Sequence, residues 1–140
     1  MRTNRHDESG FTLLEMMAVV GIFGLLIAIS VPGVMGGVRN AKLKGASETL
    51  AADLRLARSM ATAQRRTFAV AFRPNSYSVV RLSQPITVLT RQLPSGVTCS
   101  APDTAKFFAW GLTEAATITV TNSNRTKTVQ MLATGSVSHD

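Results

Sequence analysis

The sequence predicts an α+β fold: one long N-terminal helix, apolar in its first half and amphipathic in its second, packed on a C-terminal antiparallel β-sheet head. Three observations carry this prediction. Residues 11–31, FTLLEMMAVVGIFGLLIAISV, contain a single charge. Leu43, Leu50, Leu54, Ala57 and Ala61 recur at helical spacing and, at 100° per residue, fall in an arc of about 60°. Beyond Arg66 the period shortens to two, as in Thr117-Ile118-Thr119-Val120-Thr121, which is the alternation of a strand with one buried face.

A chain of 140 residues suits one domain, and 45% hydrophobic residues exclude a disordered polar tail. A helix over 11–31 is about 31 Å long, the hydrocarbon thickness of a bilayer. The preceding MRTNRHDESG is short and polar with no apolar run, so it is not a secretory signal, whose cleavage site follows its apolar stretch. Here Gly10 stands before the apolar run, joined to Phe11, and Glu15 lies one turn inside it. A carboxylate near a membrane face costs about a few kcal/mol and calls for a partner. A plain signal anchor with Glu15 snorkelling toward the headgroups is the simpler alternative. Counting Lys and Arg on the two sides, Arg2 and Arg5 against Arg39, Lys42 and Lys44, does not favour a cytoplasmic N-terminus.

Pro32, Gly33, Gly36 and Gly37 follow and predict a kink at Pro32 or local melting, because Pro lacks a donor and Gly weakens helices. The amphipathic stripe then runs to about Gln64, with Glu48, Arg55 and Arg66 on a solvated face. The expected regions are therefore 1–10, a leader; 11–31, a membrane-spanning helix; 32–66, the kink and amphipathic helix; and 67–140, the head.

Within the head, strands are expected at 67–73, 77–82, 86–92, 106–110, 117–121 and 126–132. Turns are expected at Arg73-Pro74-Asn75-Ser76, Leu93-Pro94-Ser95-Gly96 and Asn122 to Arg125. Ile118 and Val120 should face inward with the threonines outside. Phe68, Val70, Phe72, Phe107 and Trp110 should form the core against Leu50 and Leu54, with Cys99 a small buried residue.

Catalytic and metal chemistry find no support. Cys99 is a single cysteine, and His6 and His139 stand at opposite chain ends, so neither a metal-ligand cluster nor a nucleophile with its base can be read. No enzyme activity, cofactor or metal is expected. Residues 39–140 carry 13 basic and 5 acidic side chains, a balance that suits either a polyanion partner or a solubilising surface.

Gly10 to Val34, G-FTLLEMMAVVGIFGLLIAISVPGV, resembles the N-terminal signal of type IV pilins and type II secretion pseudopilins. The resemblance rests on a short basic-and-polar leader, Gly at the junction, Phe next, Glu at the fifth mature position, an apolar helix, and Pro32 at the twenty-second. It implies cleavage between Gly10 and Phe11 by a prepilin peptidase on the cytoplasmic side and methylation of the Phe11 amine. It also implies that Glu15 pairs with the Phe11 amine of a neighbouring subunit in the filament core, a buried pair that forms on assembly. Only this resemblance orients the chain, with its N-terminus cytoplasmic and its head periplasmic in a bacterial inner membrane, before entry into a pilus or pseudopilus.

Leu50 to Phe72 with its A-R-x-x-A helix end, the L-P-x-G-V turn of Leu93 to Cys99, and KFFAWGL at Lys106 to Leu112 are similar to the GspH/FimT family of minor pilins and pseudopilins. That resemblance implies a head of two antiparallel sheets on the C-terminal half of the long helix, with other pilin or pseudopilin subunits as partners. FimT-like members are linked to DNA binding during uptake. Candidates for a DNA contact are Arg125 and Lys127 beside the hairpin and Arg73, Arg81 and Arg91 at strand ends. Where those members share a C-terminal G-R-x-R stretch, this chain has Gly135-Ser136-Val137-Ser138. The alternative is a GspH-like pseudopilin that acts in filament assembly and protein export without nucleic acid.

Overall fold

The computed structural model describes residues 11–102 and 104–139, with 31–33 described by backbone alone. The expected leader, and Gly10 with it, lies outside these residues. The chain divides into two compact units, the first ending at Gly37 and the second beginning at Val38. One helix, α1, runs over Leu13–Gln64. The expected melting at Pro32, Gly33, Gly36 and Gly37 does not occur, for the backbone stays helical through all four. Pro removes one donor, whereas an opened turn would leave several backbone groups unpaired, so the helix absorbs the smaller loss.

The second unit holds the last turns of α1 and two antiparallel sheets. One has the order β3-β2-β1-β5, built from β1 (Phe68–Arg73), β2 (Ser76–Arg81), β3 (Ile86–Gln92) and β5 (Ala105–Phe107). The other has the order β4-β6-β7-β8, built from β4 (Val97–Ser100), β6 (Ala116–Asn122), β7 (Thr126–Met131) and β8 (Val137–His139). The stripe of Leu43, Leu50, Leu54, Ala57 and Ala61 is fully buried, and strand alternation delivers the inner faces that meet it. Phe68, Val70, Tyr77, Val79 and Phe107 come from the first sheet; Cys99, Ile118, Val120, Val129 and Met131 come from the second. Truncating Leu50 or Leu54 to Ala in such a core costs about 2–5 kcal/mol.

Two expectations about this core need correction. Trp110 lies outside it at 71% exposure, stacked on Phe108 with ring centroids 5.4 Å apart and planes 3° from parallel. The strand expected at 106–110 stops at Phe107 because the chain turns there, with Phe108 N–H donating to Leu112 O and Gly111 N–H to Phe108 O. Phe72 is only partly buried, at the margin of the core. Strands β4 and β8 were not expected from sequence; each is short, with four and three residues.

Candidate assembly site and basic residues of the head

At the start of α1, Thr12 caps the helix. Its hydroxyl accepts from the Glu15 backbone N–H at 3.2 Å, and its carbonyl accepts from Met16 N–H at 3.2 Å. Thr12 therefore occupies the N-cap and Glu15 the third helical position, where a carboxylate also meets the positive end of the helix dipole. The Thr-x-x-Glu spacing is a capping signal that sequence reasoning passed over. Phe11 is 73% exposed, and large apolar side chains from Leu13 to Ile29 are exposed around the helix. A helix apolar on every face is suited to lipid or to a bundle of like helices, and by length and composition this one is long and apolar enough to cross a membrane.

The five basic candidates of the head do not occupy one surface. Arg91 is committed to Asp53: its Nε donates to Oδ2 at 3.0 Å and its Nη2 to Oδ1 at 3.1 Å. Tyr77 Oη donates to the same Oδ2 at 2.6 Å. Burial, first, and then the hydrogen bond to Asp53 and its charge push the Tyr77 phenol well above its ordinary pKa. Asp53 was missed from sequence, although a carboxylate at the flank of the Leu50–Leu54 stripe is a signal that something buried must pair with it. Arg73 pairs with Ser76 at one end of the β1–β2 ladder and Arg81 with Phe68 at the other, roughly 16 Å away at strand rise. The Arg81 Nη2 donates to Gln84 Oε1 at 3.3 Å. Arg125 and Lys127 belong to the β6–β7 hairpin of the other sheet.

That hairpin is fixed by Asn122. Its Oδ1 accepts from Asn124 and Arg125 N–H at 2.9 and 2.8 Å, while its Nδ2 donates to Arg39 O at 3.1 Å on α1. The side chain thus shapes the turn and ties it to the helix.

Arg58, the arginine of the A-R-x-x-A helix end, holds two further turns. Its Nε donates to Gly111 O at 3.1 Å and its Nη2 to Thr134 O at 3.0 Å. Gly111 and Gly135 have φ of 86° and 85°, which side chains rarely tolerate. Arg55 Nη2 adds a bond to Val137 O at 2.9 Å, so this exposed residue of the expected solvated face also anchors β8. Cys99 is buried, its Sγ 3.1 Å from Arg73 O, and burial pushes its thiol pKa up. Among the described residues no three His, Cys, Asp or Glu side chains gather as a metal site.

Residues 5–31 match the family model of the prokaryotic N-terminal methylation motif, and residues 46–135 match that of type II transport protein GspH. A 53-residue stretch is 47% identical to the type II secretion system core protein G of Pseudomonas aeruginosa, covering 36% of this chain and 37% of that protein. The chain thus spans little more than a third of that relative's length. The fold is similar to the type IV minor pilin FimU of Pseudomonas aeruginosa, with TM-score 0.63 and 18% identity over 72% of this chain and 90% of that one. It is likewise similar to the minor pseudopilin EpsH from the Type 2 Secretion System of Vibrio cholerae, with TM-score 0.63 and 11% identity over 71% and 96%. With the methylation motif at its start, two sheets on a long helix, and a family match across most of the head, this chain belongs to the GspH family and is a minor pilin or pseudopilin, a structural subunit and not an enzyme.

Proposed function

We propose that the chain is made as a precursor, cut between Gly10 and Phe11 by a prepilin peptidase and methylated at the new Phe11 amine. It is held in the inner membrane through residues 11–31, with the N-terminus cytoplasmic and the head periplasmic, until it enters a type IV pilus or type II secretion filament. Glu15 guides that entry by pairing with the Phe11 amine of a neighbouring subunit. The observation that carries this reading is the cap: Thr12 accepts from the Glu15 backbone N–H and fixes Glu15 in the first turn, four residues from Phe11, at the start of a helix whose large apolar side chains are exposed from Leu13 to Ile29. Moving that carboxylate beside an ammonium exchanges a poorly solvated charge for a paired one. Pro32 supplies a point of bending between span and head.

DNA uptake is not part of this reading, because Arg91 is bound to Asp53 and Arg73 and Arg81 lie at opposite ends of one ladder. The test is mass spectrometry of the chain purified from cells that assemble such filaments, together with filament incorporation of Glu15→Ala. A mature N-terminus at methylated Phe11 and strongly reduced incorporation of the variant are expected. An uncut chain, or undiminished incorporation, overturns the reading.

A further inference from the structure

We propose that the end of the head through which the chain arrives from the apolar helix binds the headgroups of anionic phospholipids. The inference rests on the membrane-anchored reading above. Arg39, Lys42 and Lys44 are exposed on the first turns of α1 within the head, and Arg125 is exposed at the hairpin beside them. The Asn122 bond to Arg39 O holds the hairpin against those turns. Two clefts flank the helix here. One, of about 480 Å³, includes Asn40, Lys44, Arg125 and Lys127; the other, of about 380 Å³, includes Arg39, Lys42, Ser95 and Asn122. Cations therefore lie on both sides of the helix, each set beside hydroxyl or amide groups. In the second cleft Lys42 Nζ donates to Ser95 Oγ at 3.2 Å. The carboxylate on the same turns is Glu48, 3.9 Å from Lys44 in an exposed pair.

Such a surface accepts a phosphodiester through charge-assisted hydrogen bonds. Chain connectivity selects which phosphodiester. Seven residues separate Val31 from Arg39, a reach of about 12 Å as helix and no more than about 28 Å fully extended. A surface tethered that near a bilayer, about 1.5 screening lengths away at physiological salt along the helix and at most about 3.5, meets lipid headgroups before any soluble polyanion. The cations also follow the span on the side where orientation alone would disfavour them, so an anionic partner there gives them a use. Arg73, one of the DNA candidates, lies toward this end as well, its carbonyl beside Cys99 of β4, whereas Arg81 lies at the far end of its ladder.

The test uses the full chain in neutral detergent micelles, titrated with short-chain phosphatidylglycerol and phosphatidylcholine across a salt series. A cation near an anionic surface contributes roughly a fivefold gain in partition. Phosphatidylglycerol should therefore bind at least about tenfold more tightly than phosphatidylcholine at low salt, and R39Q/K42Q/K44Q/R125Q should abolish that preference. The charge-preserving R39K/R125K should keep it, and R65Q/R66Q should leave it unchanged, separating a local surface from net charge. Equal binding of the two lipids, or a preference that survives the fourfold variant, overturns the proposal. So does duplex DNA binding that the fourfold variant abolishes while lipid preference is absent. A chain that fails to sediment with membranes refutes the anchored reading instead, and the micelle titration is read independently of that result.

Discussion

Arg91 grips Asp53 with two parallel hydrogen bonds, Nε to Oδ2 at 3.0 Å and Nη2 to Oδ1 at 3.1 Å. The geometry is asymmetric in exposure: the Asp53 side chain is 8% exposed and that of Arg91 is 44%. Tyr77 Oη completes the set at 2.6 Å. A buried carboxylate left without these donors loses more than the worth of the bonds themselves. Replacing Arg91 with Ala should thus destabilise the head by about 1–3 kcal/mol, and Tyr77→Phe by about 1 kcal/mol. Denaturant titration of the full chain in micelles, followed by far-ultraviolet circular dichroism, reads both. No change in either midpoint would show that the carboxylate is solvated after all.

The same triad sets a pH limit. Burial and Asp53 raise the Tyr77 pKa in the folded state above its value in the unfolded chain. A group raised in this way stabilises the fold fully below its unfolded pKa of about 10, and that contribution is lost as pH climbs toward the folded value. Stability should therefore fall above about pH 10, and fall less in Tyr77→Phe, which has no phenol to ionise. Parallel alkaline slopes for the two proteins would remove Tyr77 as the cause.

Gly135 and Gly96 separate crowding from backbone conformation. Both have positive φ, 85° and 82°. A methyl group at Gly96 meets nothing within 4 Å, whereas one at Gly135 would collide with the Arg58 guanidinium and lie 2.6 Å from Gly111 O. Gly96→Ala should cost about 1 kcal/mol, the conformational term alone. Gly135→Ala should cost about 2–4 kcal/mol because it also displaces Arg58 from two carbonyls. Thermal melts compare them directly, and equal losses would mean that both the Arg58 side chain and the Gly111 carbonyl give way freely.

The helix and the ladder strands were legible because their signals are periodic. The Leu43 to Ala61 stripe, and the Ile118 and Val120 alternation, each repeat often enough to outweigh single exceptions. What escaped were features decided by one tertiary contact. Strands β4 and β8 are too short to show a period. Asp53 looks like any helical carboxylate until Tyr77 and Arg91 are placed beside it. The five basic candidates share positive charge and a place beside the hairpin or at a strand end, and neither property says which sheet, or which end of it, a residue occupies. Pro32 and its neighbouring glycines carry real penalties in isolation, yet the helix continues through them, since propensity is outweighed by the backbone bonds an interruption would forfeit.

Cys99 provides a probe of the head's integrity. It is 5% exposed at the centre of β4, and burial raises its pKa, which suppresses the thiolate that reacts with disulfide reagents. The folded full chain should react at neutral pH far more slowly than the same chain in denaturant, and its rate should go on climbing with pH beyond the point where that of a free thiol levels off. Rapid labelling without denaturant would show that β4 opens locally.

Trp110 tests the reassignment of an aromatic from core to surface. At 71% exposure, stacked on Phe108, it holds little of the burial that stabilises the head, whereas Phe107, the last residue of β5, is fully buried. Trp110→Ala should change stability by less than about 1 kcal/mol, while Phe107→Ala should cost about 3–5 kcal/mol. Because Trp110 is the chain's single tryptophan, its fluorescence reports one environment: emission should resemble indole in water and be quenched readily by iodide. Blue-shifted emission protected from iodide would return Trp110 to the interior or place it against a partner. Measuring quenching in isolated subunits and again in assembled filaments distinguishes those cases, since a ring covered only on assembly changes between the two and a ring in the core does not.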